Sequence, residues 1–488
     1  MRAFEQLDVS NHYASLPEIF YSRHVPEALE AQHVIHVNQD VCSLVGLNPE
    51  EFHRSDCVDL LTSNCQSLGI DPIAMCYAGH QFGQYVPRLG DGRALLLGQV
   101  EHQGKTWDLQ LKGSGRTLYS RMGDGKAVLR STIREHLCSA AMTGLGIPST
   151  LSLAMFGSQE PVYREEIERG AMLIRVAPSH IRFGSFEYYF YNGRYDDLQL
   201  LVDYTIDHYF PELKQRDNPA LALLQSAIES TARLIAKWQS VGFCHGVMNS
   251  DNMSIHGITI DYGPYGFLDA YDEAHICNHS DHSGRYAFNR QPAIGLFNLS
   301  CLAQALLPCI AEEPEPAVEL ATEALNTYEA IFESEYLTLK RFKLGLQKSL
   351  PSDDLLYQQF LSIMQTYAMD FNRSFRALSY TDFEQRLLAM QSGNELKSWL
   401  QQYQNRLQQE ERSADLRTEA MRKTNAKYVL RNHLAETAIR KAKNDHDYTE
   451  IDRLITLLSN PFDEQPEWET YSELPPDWAK SLSISCSS

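Results

Sequence analysis

Paired cysteines are the first thing this sequence lacks. Its ten cysteines, at 42, 57, 65, 76, 138, 244, 277, 301, 309 and 486, are scattered over 488 residues and none forms a C-x-x-C. A zinc ribbon or thioredoxin-type motif is thereby excluded, and most of these thiols read as small buried hydrophobes. Positive charge is scarce too: 43 Lys and Arg stand against 63 Asp and Glu, a formal charge of −20. So acidic a chain has no broad electrostatic footprint for nucleic acid or anionic lipid, so any anionic ligand needs a local group of basic residues. Apolar runs such as AMLI and LALL fall far short of a membrane span. The opening MRAFEQLDVSNHYASLPEIF has neither the basic start nor the apolar core of a secretory signal. A cytoplasmic protein without nucleic-acid or membrane partners is expected.

The length exceeds one ordinary core, which predicts two lobes or domains. Residues 1–75 read as a mixed extension without assignable chemistry. Glycines, strands and basic residues then concentrate over 76–190. In TWDLQLK (106–112), Trp107, Leu109 and Leu111 alternate with Asp108, Gln110 and Lys112, which places Lys112 on the polar face of a strand. AVLRSTIREHLCSAAMTGLG (127–146) has helical spacing and carries Glu135, and AMLIRVA (171–177) is a buried strand interrupted by Arg175. Residues 191–330 turn helical; Leu224, Ile228, Ile235 and Trp238 form one stripe of a long helix that stops at Gly242. Residues 331–474 read as a helical extension, and 475–488 as a flexible tail bearing Cys486.

Three segments share one form: Gly90-Asp91-Gly92-Arg93, Gly113-Ser114-Gly115-Arg116 and Gly123-Asp124-Gly125-Lys126. Glycines let backbone N–H groups approach phosphate oxygens, and the adjacent cation adds charge. One such loop is merely a turn; three within 37 positions of an acidic chain predict phosphate contact. Arg175 and Arg182 bracket a Pro-containing turn. A buried Arg needs a partner, which an anionic ligand or a carboxylate such as Glu187 would supply.

The densest chemistry lies in HGVMNSDNMSIHGITIDYG, residues 245–263. The runs MSI and ITI about His256-Gly257 predict a tight hairpin with Asp251, Asn252 and Asp261 around it. Such oxygen ligands suit a hard cation, Mg²⁺ or Mn²⁺, shared with phosphate oxygens. A His, an Asn seven positions on, then Asp-aromatic-Gly is the order of a kinase catalytic loop and metal triplet, in which a strand Lys and a helix Glu also pair. The place of the kinase's catalytic Asp, however, holds Val247, and an acid returns only at Asp251. Moving the base while keeping the metal ligands fits attack at the α-phosphorus instead of the γ.

GHQFGQYVPRLGDGRA, DLQLKGSGRT, GDGKAVLRSTIREHL, RVAPSHIRFGSFE, GFCHGVMNSDNMS and DYGPYGFLD together resemble the selenoprotein O family, over most of the chain. The resemblance implies an α+β, two-lobed protein-kinase-like fold, with a strand-rich N-lobe, a helical C-lobe and a helical C-terminal extension. It implies AMP transfer from ATP bound in a flipped orientation to Ser, Thr or Tyr hydroxyls of proteins, with release of pyrophosphate. By the same resemblance Lys112 touches phosphates and pairs with Glu135. Gly90, Gly92, Arg93, Asp124, Gly125, Arg175 and Arg182 bind nucleotide, Asp251 accepts the proton, and Asn252 and Asp261 hold the metal. No residue is identified that reads the base, so UTP is an alternative donor. The family's characteristic third-from-last position is Cys486 here.

Two rival functions remain at this stage: an ordinary ATP-dependent phosphotransferase, and an inactive nucleotide-binding scaffold with a redox-sensitive tail. A disulfide between Cys277 and Cys486 is a further expectation, because both lie in polar, flexible-looking segments. His275, Cys277, His279 and His282 are spaced too closely for an easy zinc site and read as a solvated loop.

Overall fold

Short strands from the first 75 residues are built into the same sheet as the glycine-rich segment that follows. The computed structural model describes residues 1–484. Its strands are β1 (Val9–Ser10), β2 (Tyr21–Arg23), β3 (His33–Val37), β4 (Ile73–Met75), β5 (Gly79–Gln81), β6 (Gln84–Val86), β7 (Ala94–His102), β8 (Lys105–Lys112), β9 (Ala127–Val128), β10 (Leu151–Tyr163) and β11 (Ile167–Ala177). Nine of them pair antiparallel in the order β2-β4-β7-β8-β11-β10-β3, with β1 beside β7 and β9 beside β11. β5 and β6 form a separate hairpin.

Both faces of this sheet are covered. On one face Leu109, Leu111, Ile174 and Val176 pack with Phe4, Val41, Val45 and Phe52 from the N-terminal segment, including helix α1 (Gln39–Val45) and neighbours of α2 (Cys57–Leu61). On the other, α3 (Leu129–Gly144) lays Ile133 and Leu137 against Leu96, Met155 and Leu173. The polar face of β8 is therefore not a solvated surface: Asp108, Gln110 and Lys112 are all buried.

Helices follow: α4 (Phe183–Tyr191), α5 (Tyr195–Tyr209), α6 (Pro219–Val241), which stops at Gly242 as its stripe predicts, and α7 (Gln291–Ile310). Between the last two, β12 (Phe243–Cys244) pairs with β13 (Gly266–Phe267) and frames the segment from 245 to 265. The hairpin expected of MSI and ITI shrinks to a single Met253–Thr259 bridge. Its two arms pair outward instead, Ser254 with Arg182 and Thr259 with Ser149.

With its leading turn, α7 is a stretch of 23 residues (Phe288–Ile310, mean hydropathy 1.7) long and apolar enough to cross a membrane by length and composition. Asn298, Ser300 and Gln304 interrupt it, so the sequence shows no long unbroken apolar run there. More than half of it is buried inside the protein, with Leu299, Leu302, Ala305 and Leu306 in the core against α4 and α6. Further helices run to Ser459, and the last two, Asn432–Asp445 and Thr449–Ser459, pack back onto α3.

The chain beyond Pro475 is anchored as far as it is described. Trp478 lies under the Arg440 guanidinium, and the Ile484 carbonyl accepts a hydrogen bond of 2.9 Å from His279 N. Cys277 is likewise not in a flexible segment; it is buried, its thiol facing the Cys244 carbonyl. Cys486, and with it the expected disulfide, lies outside the described residues. Among the described residues, no three His, Cys, Asp or Glu side chains gather as a metal cluster, those of 275–282 included.

Candidate nucleotide site

Alternation along β8 directs Lys112 to the same side as Gln110 and Asp108, and α3 runs beneath with Glu135 on its inner face. The Lys112 ammonium and the Arg175 guanidinium grip different oxygens of the Glu135 carboxylate. All three side chains are buried. Burial pulls Lys112 down to about 8, although Glu135 works the other way. Burial likewise favours a protonated Glu135, yet the two cations win and hold it below the usual carboxylate range. Arg175 therefore does not pair with Glu187, the carboxylate considered from sequence; Glu187 instead faces His80 at 2.6 Å.

Arg175 reaches on from Glu135 to Asp261, with Nη2 2.6 Å from Oδ1, and Arg182 pairs with the other oxygen of Asp261. Burial alone would raise the Asp261 carboxyl, but Arg182, Arg175 and Lys112 hold it far below its ordinary value. Its backbone sits at φ +58°, a left-handed conformation that Asp tolerates better than most residues and that gathers at functional sites. Arg182 Nε, also buried, has no hydrogen-bond acceptor. A buried guanidinium donor left in this way can be satisfied by an anion.

Asp251 and Asn252 occupy a short 3₁₀ turn, Ser250–Asn252. Buried polar side chains fasten the loop before it. His245 N donates to Gln291 Oε1 (2.9 Å), Gln291 Nε2 donates to the Phe243 carbonyl (2.9 Å), and Asn298 Nδ2 donates to the Met248 carbonyl (3.0 Å). His245 Nε2 lies 3.0 Å from the Ile260 carbonyl, tying this loop to the residue before Asp261. Arg182 donates to the backbone carbonyl of Asp251 (2.8 Å) rather than to its carboxylate. The Asp251 carboxyl receives one hydrogen bond, from Gln81 (3.1 Å), and its Oδ1 has none. Burial pushes it up to about 7.

These groups line one cavity of about 760 Å³. Gly90, Gly92, Arg93, Lys112, Asp124, Gly125, Arg175, Arg182, Asp251, Asn252 and Asp261 all face it, together with Val247 at the kinase-Asp position. Glu135 does not; it stands behind Lys112 and Arg175. The second and third glycine loops pack on each other through a Gly115 N to Gly125 carbonyl hydrogen bond of 3.1 Å. Gly125 adopts φ +71°, and a Cβ there would fall 1.9 Å from the Gly115 carbonyl oxygen. Asp124 is held by Arg164 through two hydrogen bonds of 2.7 and 2.9 Å, which lower its carboxyl below the usual range.

The family model described as "Protein adenylyltransferase SelO" matches residues 3–459. The chain belongs to the SelO family. A protein of Thioalkalivibrio sulfidiphilus (strain HL-EbGR7) named "Protein nucleotidyltransferase YdiU" is 50% identical over 493 residues, covering 100% of both chains. Proteins of the same name from Paraburkholderia xenovorans (strain LB400) and Myxococcus xanthus (strain DK1622) are 47% and 46% identical. They cover 98% and 100% of this chain, and 95% and 100% of their own lengths.

For this SelO family member, several groups at the cavity, or fastening the loop behind it, are not marked in the sequence by the motifs above. Arg164 sits at the β10–β11 turn in YREEIERG, which reads as a solvated hairpin tip; only its contact with Asp124, 40 positions away, reveals it. Gln81 belongs to no motif of known mechanics. Gln291 and Asn298 left a usable signal, as amides inside an apolar helix. The donor set fits a hard divalent cation. Asn252 Nδ2 is spent on the Val247 carbonyl (2.9 Å), which leaves its amide oxygen as the atom that could face a cation beside an ionised Asp261. Two such protein oxygens suffice for a cation that keeps water and phosphate oxygens.

Proposed function

We propose that this SelO family member transfers AMP from ATP to Ser, Thr or Tyr hydroxyls of target proteins and releases pyrophosphate. The carrying observation is Asp251, a buried carboxyl with one unengaged oxygen, facing the same cavity as Lys112, Arg175, Arg182, Asn252 and Asp261 while Val247 stands where a kinase keeps its base. Asp251 accepts the proton of the acceptor hydroxyl, whose oxygen bonds to the α-phosphorus. The bond from that phosphorus to the α–β bridging oxygen breaks, and the charge gathering on pyrophosphate is met by Lys112, Arg175 and Arg182. Asn252 and Asp261 would hold Mg²⁺ or Mn²⁺, which supplies further neutralisation of phosphate charge when bound.

The sheet with α3 and the helices from α4 onward correspond in this reading to the two lobes of a kinase-like arrangement, with the cavity between them. Gly90, Gly92, Arg93, Asp124 and Gly125 form the remaining nucleotide contacts. Charge contacts of this kind grip any triphosphate, so UMP transfer from UTP is part of the proposal. Incubating the protein and candidate acceptors with ATP labelled at the α- or the γ-phosphorus is the test. Label from the α-position in protein, with an intact-mass gain of one adenylate unit, supports the reading; label from the γ-position alone makes it a kinase.

A further inference from the structure

The β5–β6 hairpin brings an exposed aromatic ring to the mouth of the cavity and holds it there. Phe82, at the tip, is 43% exposed and shares the cavity wall with Gln81, Val247, Asn249 and Asp251. Its backbone holds φ +51°, an unfavourable conformation for an aromatic residue, so the tip is fixed by its contacts and not by local preference. Phe82 N donates to Tyr286 Oη (2.8 Å), and that hydroxyl donates to Asn249 Oδ1 (2.6 Å), two positions before Asp251. His80 N donates to Ser250 Oγ (2.7 Å). A Cβ at Gly79 would fall 2.6 Å from Asp251 Oδ1, so the hairpin backbone lies directly on the Asp251 turn. The Phe82 ring and the Asp251 carboxyl are thereby fixed relative to each other.

A cation without a counter-charge backs the same tip. The Arg285 guanidinium lies flat against Gly83, where a Cβ would fall 3.0, 3.1 and 3.2 Å from its Cζ, Nη2 and Nη1. It sits over the Phe297 ring at 4.7 Å, and its buried Nε has no acceptor. Nearby carboxylates are engaged elsewhere. Asp281, in the same turn, accepts from the backbone N–H groups of Arg285 (2.9 Å) and Tyr286 (2.7 Å), and Glu187 faces His80 at 2.6 Å. Among the described residues no carboxylate pairs with this guanidinium, in a chain with 63 Asp and Glu. Aromatic faces hold a guanidinium in place but leave its charge open to an anion.

We propose that the Phe82–Arg285 tip is the docking platform for the acceptor polypeptide. It takes an extended segment in which an apolar side chain beside the reacting hydroxyl packs on the Phe82 ring and an acidic side chain further along pairs with Arg285. The inference rests on the transfer reading and names its substrate class. With the nucleotide on the glycine loops and the Lys112, Arg175 and Arg182 group, the hairpin side of Asp251 is the approach left to the hydroxyl. A strained, exposed ring gains from a partner with apolar surface, and an unpaired guanidinium from a partner with negative charge. One acidic segment lying along the tip satisfies both.

The experiment is AMP transfer from α-labelled ATP to synthetic peptides, each with one central Ser, Thr or Tyr, in which Leu, Glu or Lys is moved through the flanking positions. Wild type is expected to label best the peptides with Leu beside the hydroxyl, and to favour Glu over Lys about tenfold at one or two positions beyond it. Arg285→Gln is expected to erase that preference and Arg285→Glu to invert it. Phe82→Asn, whose new side chain tolerates the same backbone, is expected to raise the KM for peptide about tenfold and to leave the KM for ATP where it was. A Glu-to-Lys ratio in Arg285→Gln equal to that of wild type overturns the proposal. So does a Phe82→Asn variant that loses affinity for ATP and not for peptide, the mark of a ring that stacks on the base. If Phe82→Asn does not fold, the two Arg285 variants decide by the same ratio. Label that enters folded proteins but no peptide overturns the platform and leaves transfer standing, whereas no α-label in any acceptor removes transfer and the platform with it.

Discussion

Replacing Asp251 by Asn should make the protein more stable, and by an amount that grows with pH. The Asp251 carboxyl is buried, has one hydrogen bond, and is pushed from 3.8 up to about 7. Between those values the folded protein holds a proton that the unfolded chain has released. Stability of the wild type is therefore undiminished below about pH 4 and is lost as pH rises through about 7. At 1.36 kcal/mol per unit, the raised carboxyl costs the fold about 1.5 kcal/mol at pH 5, where it stays protonated, and about 4 kcal/mol at pH 8, where it is ionised. Asn keeps the shape and can accept from Gln81, but has no charge to bury. For a chain of 488 residues the unfolding entropy is roughly 1 kcal/mol per kelvin, so the variant should melt about 1.5 °C above wild type at pH 5 and about 4 °C above at pH 8. Differential scanning calorimetry of the ligand-free proteins at the two pH values measures both. The same gap at pH 5 and pH 8, or a variant less stable at pH 8, would refute the claim that this site stores a strained base.

Glu135→Gln leaves Lys112 and Arg175 buried without their shared counter-charge and should cost about 3–5 kcal/mol in a urea melt, with Lys112→Met/Glu135→Gln recovering part of it. If the double variant costs the sum of the two single changes, the two residues do not act as a pair. Gly125→Ala pushes a Cβ into the Gly115 carbonyl and should abolish the thermal shift given by ATP while the unliganded protein still melts cooperatively; a normal ATP shift would show that the loop contact is dispensable. Chelation should stop AMP transfer, with Mg²⁺ or Mn²⁺ restoring it. Asn252→Ala should raise the metal concentration needed at least several-fold, and an unchanged metal titration removes Asn252 from the ligand set.

The glycine loops, Lys112, Glu135 and the 245–263 segment were readable because each is local: alternation, helical spacing or a fixed order of residue types marks it. The structure gathers them around one cavity, with Glu135 behind Lys112 and Arg175. What was not readable depends on partners far apart in the chain. Arg164 becomes a site residue only through Asp124, and Gln81 only through Asp251, 170 positions on. The two- to five-residue strands β1, β2 and β3 carry too little alternation to be seen, and their pairing with β7, β4 and β10 is decided by the completed sheet. The hairpin expected at 253–260 failed for a related reason. Its arms have β-propensity, but Arg182 and Ser149 offer them better partners than each other. Propensity marked extended chain there without saying to what it would pair.

Burial, which sequence reports poorly, sets two aspartates ten positions apart in opposite electrostatic states. Eight basic side chains line the cavity, Arg93, Lys112, Arg116, Arg121, Lys126, Arg164, Arg175 and Arg182, against four acids, Asp91, Asp124, Asp251 and Asp261. Local excess of this kind would let a chain of charge −20 hold a triphosphate. Asp261 meets two guanidiniums with its carboxylate and is ionised at any working pH, which suits a ligand for a cation and rules it out as a proton acceptor near neutrality. Asp251 is next to the same Arg182, but the guanidinium is spent on its main-chain carbonyl, so desolvation outweighs charge and the carboxyl titrates near 7. A base must be able to take a proton at the pH where it works, and of the two only Asp251 can. An arginine turned from the backbone oxygen of Asp251 to its side chain would make two metal ligands and no base.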